Sequence, residues 1–92
     1  MDENGDRKRV RTLLRQAGCR EGDADGVGFS VRRHRSLAAT LTIATRDQNG
    51  MSDFFELYRI ASLLRSAGYV VRMEDSDATM PMLAVRSISR SP

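Results

Sequence analysis

The chain has one histidine, His34, set in the basic run Arg32-Arg33-His34-Arg35. An imidazole suits proton transfer near neutral pH. A general base also needs a partner to orient it, and no carboxylate stands near His34 in the sequence. The run reads as a solvated turn, with contact to phosphate or to a partner as the functional alternative. The one cysteine, Cys19, follows the expected end of a helix. There the helix dipole works against a thiolate, so Cys19 reads as a small buried residue. A single cysteine forms no internal disulfide.

Other chemical signals are weak. Residues 20–26 are rich in Gly and Asp. They lack the third oxygen donor and the closing glutamate of an EF-hand loop, so they read as a turn. Gly26-Val27-Gly28 lacks the third glycine and the following helix of a dinucleotide motif. No Cys/His cluster offers a zinc site. The sequence therefore predicts no catalytic residue, no metal, no cofactor and no small-molecule substrate.

Charge placement is more informative. Residues 1–50 hold ten Lys/Arg against seven Asp/Glu, and residues 51–92 hold five against five. The net charge of +3 thus comes from the first half. Fourteen of the fifteen bases are arginine, a skew that a GC-rich coding sequence produces unaided, so only position carries weight. Two clusters stand out: Arg7, Lys8, Arg11 and Arg15 on a predicted helix, and Arg32, Arg33, His34 and Arg35 in a predicted turn. On one side of the molecule they would straddle phosphates in a salt-dependent way. No helix-turn-helix, zinc finger or RRM aromatic pair accompanies them.

The elements that position these residues are set by two similar stretches. Val10-Arg11-Thr12-Leu13-Leu14-Arg15-Gln16-Ala17-Gly18-Cys19 is echoed by Ile60-Ala61-Ser62-Leu63-Leu64-Arg65-Ser66-Ala67-Gly68-Tyr69. Leu, Arg and Ala favour helix, and a glycine just past the end adopts the left-handed backbone of a Schellman stop. The expected contacts are Cys19 on Leu14 and Tyr69 on Leu64. The echo suggests a helix-strand-strand unit used twice.

Residues 1–5 are expected to be disordered. A first helix is expected over 6–17, with Asp6 as N-cap and Val10, Leu13, Leu14 and Ala17 as its apolar stripe. Alternation predicts strands over 27–33 and 37–46, the second with Leu37, Ala39, Leu41 and Ile43 inward and Thr40 and Thr42 outward. A long helix is expected from 52 or 53 to 67, with Asp53 and Glu56 resembling a capping box. Further strands are expected over 69–74 and 80–88, and a frayed tail over 89–92.

The long helix is the functional clue. Phe54, Leu57, Tyr58, Ile60, Ala61, Leu63, Leu64 and Ala67 cover more than half of its circumference, wider than a sheet alone requires. Phe55 lies on the otherwise polar side with Arg59, Ser62 and Ser66. Phe55, Tyr58 and Arg59 are the candidate partner-binding residues.

The order αββαββ predicts an α+β domain with one four-stranded sheet and both helices on one face. Its second strand, long helix and third strand should form a crossover with parallel strands. That order is a circular permutation of the ferredoxin-like βαββαβ arrangement, a resemblance of topology alone. At 92 residues the chain makes one small domain burying roughly 60–65% of its unfolded surface. No apolar run is long enough to span a membrane, and the acidic N-terminus is not a secretory signal, so a cytoplasmic protein is expected. The functional expectation is a non-catalytic interaction or regulatory module that self-associates as a homodimer. Nucleic-acid binding through the basic clusters is the alternative.

Overall fold

A computed structural model describes residues 3–22, 26–74 and 81–87. Two helices, α1 (Glu3–Gln16) and α2 (Phe54–Ser66), pack on one face of a four-stranded sheet. Its strands are β1 (Gly28–Arg33), β2 (Leu41–Arg46), β3 (Tyr69–Glu74) and β4 (Met82–Ser87). The spatial order is β1-β2-β4-β3, every neighbouring pair antiparallel. β2 and β3 therefore run in the same direction, as the crossover through α2 requires, with β4 inserted between them. This is the strand order that permuting a ferredoxin-like chain produces. The α+β class and the αββαββ order stand as expected.

Both glycine stops form. At the end of α1, Gly18 (φ +90°) donates to the Arg15 carbonyl at 3.1 Å, and Cys19 donates to the Leu14 carbonyl at 2.9 Å. Those two bonds make up a Schellman motif. At the end of α2, Gly68 (φ +96°) donates to the Arg65 carbonyl at 3.1 Å. The chain then turns back, and Cys19 and Tyr69 both meet the core beneath the helices.

The core sits between the helices and one face of the sheet. Val10 and Leu14 of α1 and Leu57, Ile60, Ala61 and Leu64 of α2 meet Phe29, Val31, Leu41, Ile43, Val71, Leu83 and Val85. The strand residues are all odd-numbered, because alternation puts every second side chain on the same face. Even-numbered strand residues face away from the helices.

Four local expectations are corrected. Helix α1 begins at Glu3, so residues 3–5 are helical, and Asp6 is buried inside the helix rather than capping it. Its carboxylate lies 3.7 Å from Arg9 one turn on. Strand β2 begins at Leu41, not at residue 37. The pairing of Arg33 with Leu41 leaves residues 34–40 as a loop, in which Leu37 and Ala39 are exposed and Thr40 is buried. Ala39 takes a left-handed φ of +55° there, which ends the alternation that Leu37 seemed to begin. The capping box on α2 is half made: Asp53 accepts from the Glu56 N–H at 3.2 Å, while the Asp53 N–H goes to the Thr45 carbonyl and the Glu56 carboxylate to Arg59. The wide apolar arc of α2 divides along its length. Leu57, Ile60, Ala61, Leu63 and Leu64 are buried or half-buried, while Phe54 and Tyr58 near its start and Ala67 at its end are exposed. Residues 1–2 and 88–92, including the whole of the expected tail, lie outside the described residues, as does the turn expected at 75–79.

Candidate functional site

His34 is not a solvated turn residue. Its side chain is only 12% exposed, and both ring nitrogens are engaged. Nδ1 accepts the backbone N–H groups of Ser36 and Leu37, each at 3.0 Å. That network assigns the ring hydrogen to Nε2, which donates to Glu74 Oε1 at 3.0 Å and Oε2 at 3.2 Å. The carboxylate partner that the sequence did not reveal comes from forty residues away. With Nδ1 filled by its own loop, the ring has no free lone pair for a general base. Its geometry is that of a clasp.

The position of the clasp follows from the registers. Arg32 pairs with Thr42, Thr42 with Ala84, and Ala84 with Arg72. One row thus crosses the whole sheet, with arginine at both edges and small residues between. Two residues beyond Arg32 is His34, and two beyond Arg72 is Glu74. The two halves of the chain are related across the Thr42–Ala84 pair, and the clasp joins equivalent positions from each half. It passes over the centre of the face opposite the helices, and Ala84 there is only 7% exposed.

The two basic clusters do not merge. Helix α1 lies on one face of the sheet, and Arg32 is an even-numbered strand residue on the other. Arg11 Nε sits 2.6 Å from Glu21 Oε2, and Arg15 Nε 3.7 Å from Glu21 Oε1. Two of the four helix candidates are therefore neutralised within the chain by a residue of the Gly/Asp-rich loop. Arg7 and Lys8 are exposed. In the turn cluster Arg32, Arg33 and Arg35 are exposed, and Arg33 has a partner of its own within the chain. Sequence spacing could not show the Glu21 pairs, because they depend on how the chain leaves α1.

Of the partner-binding candidates, Arg59 has an internal task. Its Nη2 donates to the Ala17 carbonyl at 2.8 Å, which caps the end of α1 with a cation as the helix dipole favours. Phe55 is 90% exposed and Tyr58 61%. Phe54 at 50% and Met51 at 67% stand with them around the start of α2. The sequence reading missed Met51, and it placed Phe54 on the buried arc. Both follow from an unexpected limit: no described element covers the first turn of α2.

Cys19 is buried, as expected. Burial raises its thiol pKa above the usual value, the Glu56 carboxylate raises it further, and Arg59 works weakly against both. Tyr69 is raised in the same way, first by burial and then by Asp6, with Arg9 opposing. Among the described residues no three His, Cys, Asp or Glu side chains gather as they would around a metal ion. No helix among them is long and apolar enough to cross a membrane. Comparisons with protein-family models, with curated proteins and with solved structures returned no match.

Proposed function

We propose that this chain is a non-catalytic interaction module that binds a second copy of itself through Met51, Phe54, Phe55 and Tyr58. The observation that carries this reading is the exposure of those four large side chains within residues 51–58, around the start of α2. At about 200 Å² per large aromatic side chain, the patch is on the order of 500 Å². That equals the largest apolar patch of a typical monomer, and a modest polar rim extends it to the ~800 Å² per partner of a stable complex. Aromatic side chains are also the residues that dominate interface energetics.

Two further features favour this patch over the sheet edges. The free side of β1 is occupied by residues 20–22: Phe29 donates to the Arg20 carbonyl at 2.8 Å, and Gly22 donates to the Phe29 carbonyl at 2.7 Å. On β3, Arg65 Nη2 donates to the Val71 carbonyl at 3.0 Å. Edges blunted in this way discourage strand addition. The non-catalytic part of the reading rests on His34, both of whose nitrogens are used, and on Cys19, which is buried with a raised pKa.

Analytical ultracentrifugation tests the proposal. The expected result is a dimer at high micromolar concentration that Phe55→Ser or Tyr58→Ser converts to monomer. Neither substitution touches the core, so the denaturation midpoint should move by less than about 0.5 kcal/mol equivalent. A wild-type chain that stays monomeric at such concentrations overturns the reading.

A further inference from the structure

The face of the sheet away from the helices carries Gly28, Ser30 and Arg32 on β1, Thr42, Ala44 and Arg46 on β2, Met82, Ala84 and Arg86 on β4, and Val70, Arg72 and Glu74 on β3. Its middle is small or apolar, and its cations lie around that middle. Arg32 and Arg72 end the cross-sheet row through Thr42 and Ala84. At about 4.8 Å per strand step, their backbones stand roughly 14 Å apart. Arg86 pairs with Val70, which makes it a diagonal neighbour of Arg72.

All three are exposed. Among the described residues, none of the three guanidinium groups makes an ion pair or hydrogen bond. The one acid among the described strand residues of this face is Glu74, and its carboxylate is held by His34 rather than by an arginine. On the helix side five of the six arginines of α1 and α2 behave differently: Arg9, Arg11, Arg15, Arg59 and Arg65 each have a partner within the chain, and Arg7 is the exception.

We propose that this face binds single-stranded nucleic acid, with Arg32, Arg72 and Arg86 on its phosphates. Three exposed guanidiniums spread from one edge of the face to the other match several phosphates of one extended strand, which would pass over the His34–Glu74 pair at the middle of the row. Half-buried Val70, Ala44 and Met82 offer an apolar surface to unstacked bases, and guanidinium planes stack on bases as readily as they pair with phosphate. No described aromatic side chain lies on this face, so binding is governed by the backbone and tolerates sequence change. The site differs from the helix-and-turn pair of clusters suggested by sequence. It keeps Arg32 alone from that set and adds two arginines from the half of the chain whose charges balance.

The test is fluorescence anisotropy of the full chain with a labelled twelve-nucleotide single strand at low and moderate salt. The expected result is binding that weakens with salt. Arg32→Ala/Arg72→Ala/Arg86→Ala should flatten the log–log salt slope by about 2, from ~0.7 per phosphate contact on a single strand. It should also cut low-salt affinity at least tenfold. Charge reversal in Arg72→Glu alone should weaken binding as well, which guards against a triple variant that folds poorly. Arg7→Ala/Lys8→Ala on the opposite face should leave affinity within about twofold. No binding at low salt, binding that survives both arginine variants, or equal affinity for a polyglutamate peptide of matching charge would each overturn the proposal.

Discussion

His34 Nε2 lies 3.0 Å from Glu74 Oε1, although His34 directly follows β1 and Glu74 ends β3, the strands at opposite edges of the sheet. One side chain pair thus spans four strands. It ties the 34–40 loop to the end of β3, and the same ring holds the loop together through Ser36 and Leu37.

Removing that ring should therefore cost more than a surface substitution. His34→Ala leaves two loop N–H groups without an acceptor and Glu74 without its donor, with an expected loss of about 1–3 kcal/mol. Glu74→Gln keeps an acceptor oxygen and should cost about 1 kcal/mol or less. Urea denaturation of the two variants checks this, and equal midpoints for wild type and His34→Ala would contradict the clasp.

Arg59 joins the helices rather than a partner. Arg59→Ala gives up the bond to the Ala17 carbonyl and the 3.4 Å pair with Glu56. The side chain is half exposed, so solvent screening limits the loss to about 0.5–1 kcal/mol. In the same ultracentrifugation experiment that tests Phe55, Arg59→Ala should leave the dimer unchanged.

Two glycines with positive φ should respond differently to alanine. At Gly28 (φ +113°) an added Cβ would lie 2.8 Å from the Gly22 nitrogen and against the Arg20 carbonyl. Backbone strain and overlap together predict a loss of at least about 2 kcal/mol. At Gly68 (φ +96°) the added carbon meets nothing within 4 Å. Only the left-handed conformation counts there, about 1 kcal/mol. Thermal denaturation of Gly28→Ala and Gly68→Ala should rank them in that order.

The raised thiol of Cys19 predicts an alkaline loss of stability. Below the usual thiol value of 9.0 folded and unfolded chains both hold the proton. As pH rises past it, the unfolded chain releases the proton first, so stability falls until the folded thiol also ionises. Tyr69 adds to the fall from about its usual 10.0 upward. Cys19→Ala lowers stability at neutral pH through lost packing. It should also flatten the decline in urea midpoint between about pH 8 and pH 10.5. An identical slope in both proteins would count against the burial argument.

Much of this fold is written in local chemistry. The Leu-Leu-Arg-x-Ala-Gly stretches end both helices because only glycine enters the left-handed region cheaply, and that preference needs no tertiary partner. The inward residues Phe29 and Val31 of β1 were legible because alternation is a property of the strand itself, whereas β3 and β4 were legible only as strand spans. The start of β2 was not. Leu37 and Ala39 continue the same alternation, but the register against β1 and the ring of His34 turn them into loop. Asp6 looked like a cap because its side chain suits one, while the helix runs on toward Glu3.

The sequence by itself determined the helix stops, the phase of β1 and the spans of β3 and β4, since these depend on residue type and on near neighbours. Only the tertiary structure decided which charges are spent and which remain. Glu21 reaches Arg11 and Arg15, Glu74 reaches His34, and Arg59 reaches Ala17, over six to forty-two residues of chain. Arg32 and Arg72 share a row only because β4 inserts between β2 and β3. Ion pairs and cross-sheet rows are set by distance in space, and spacing along a chain carries that distance only within one element.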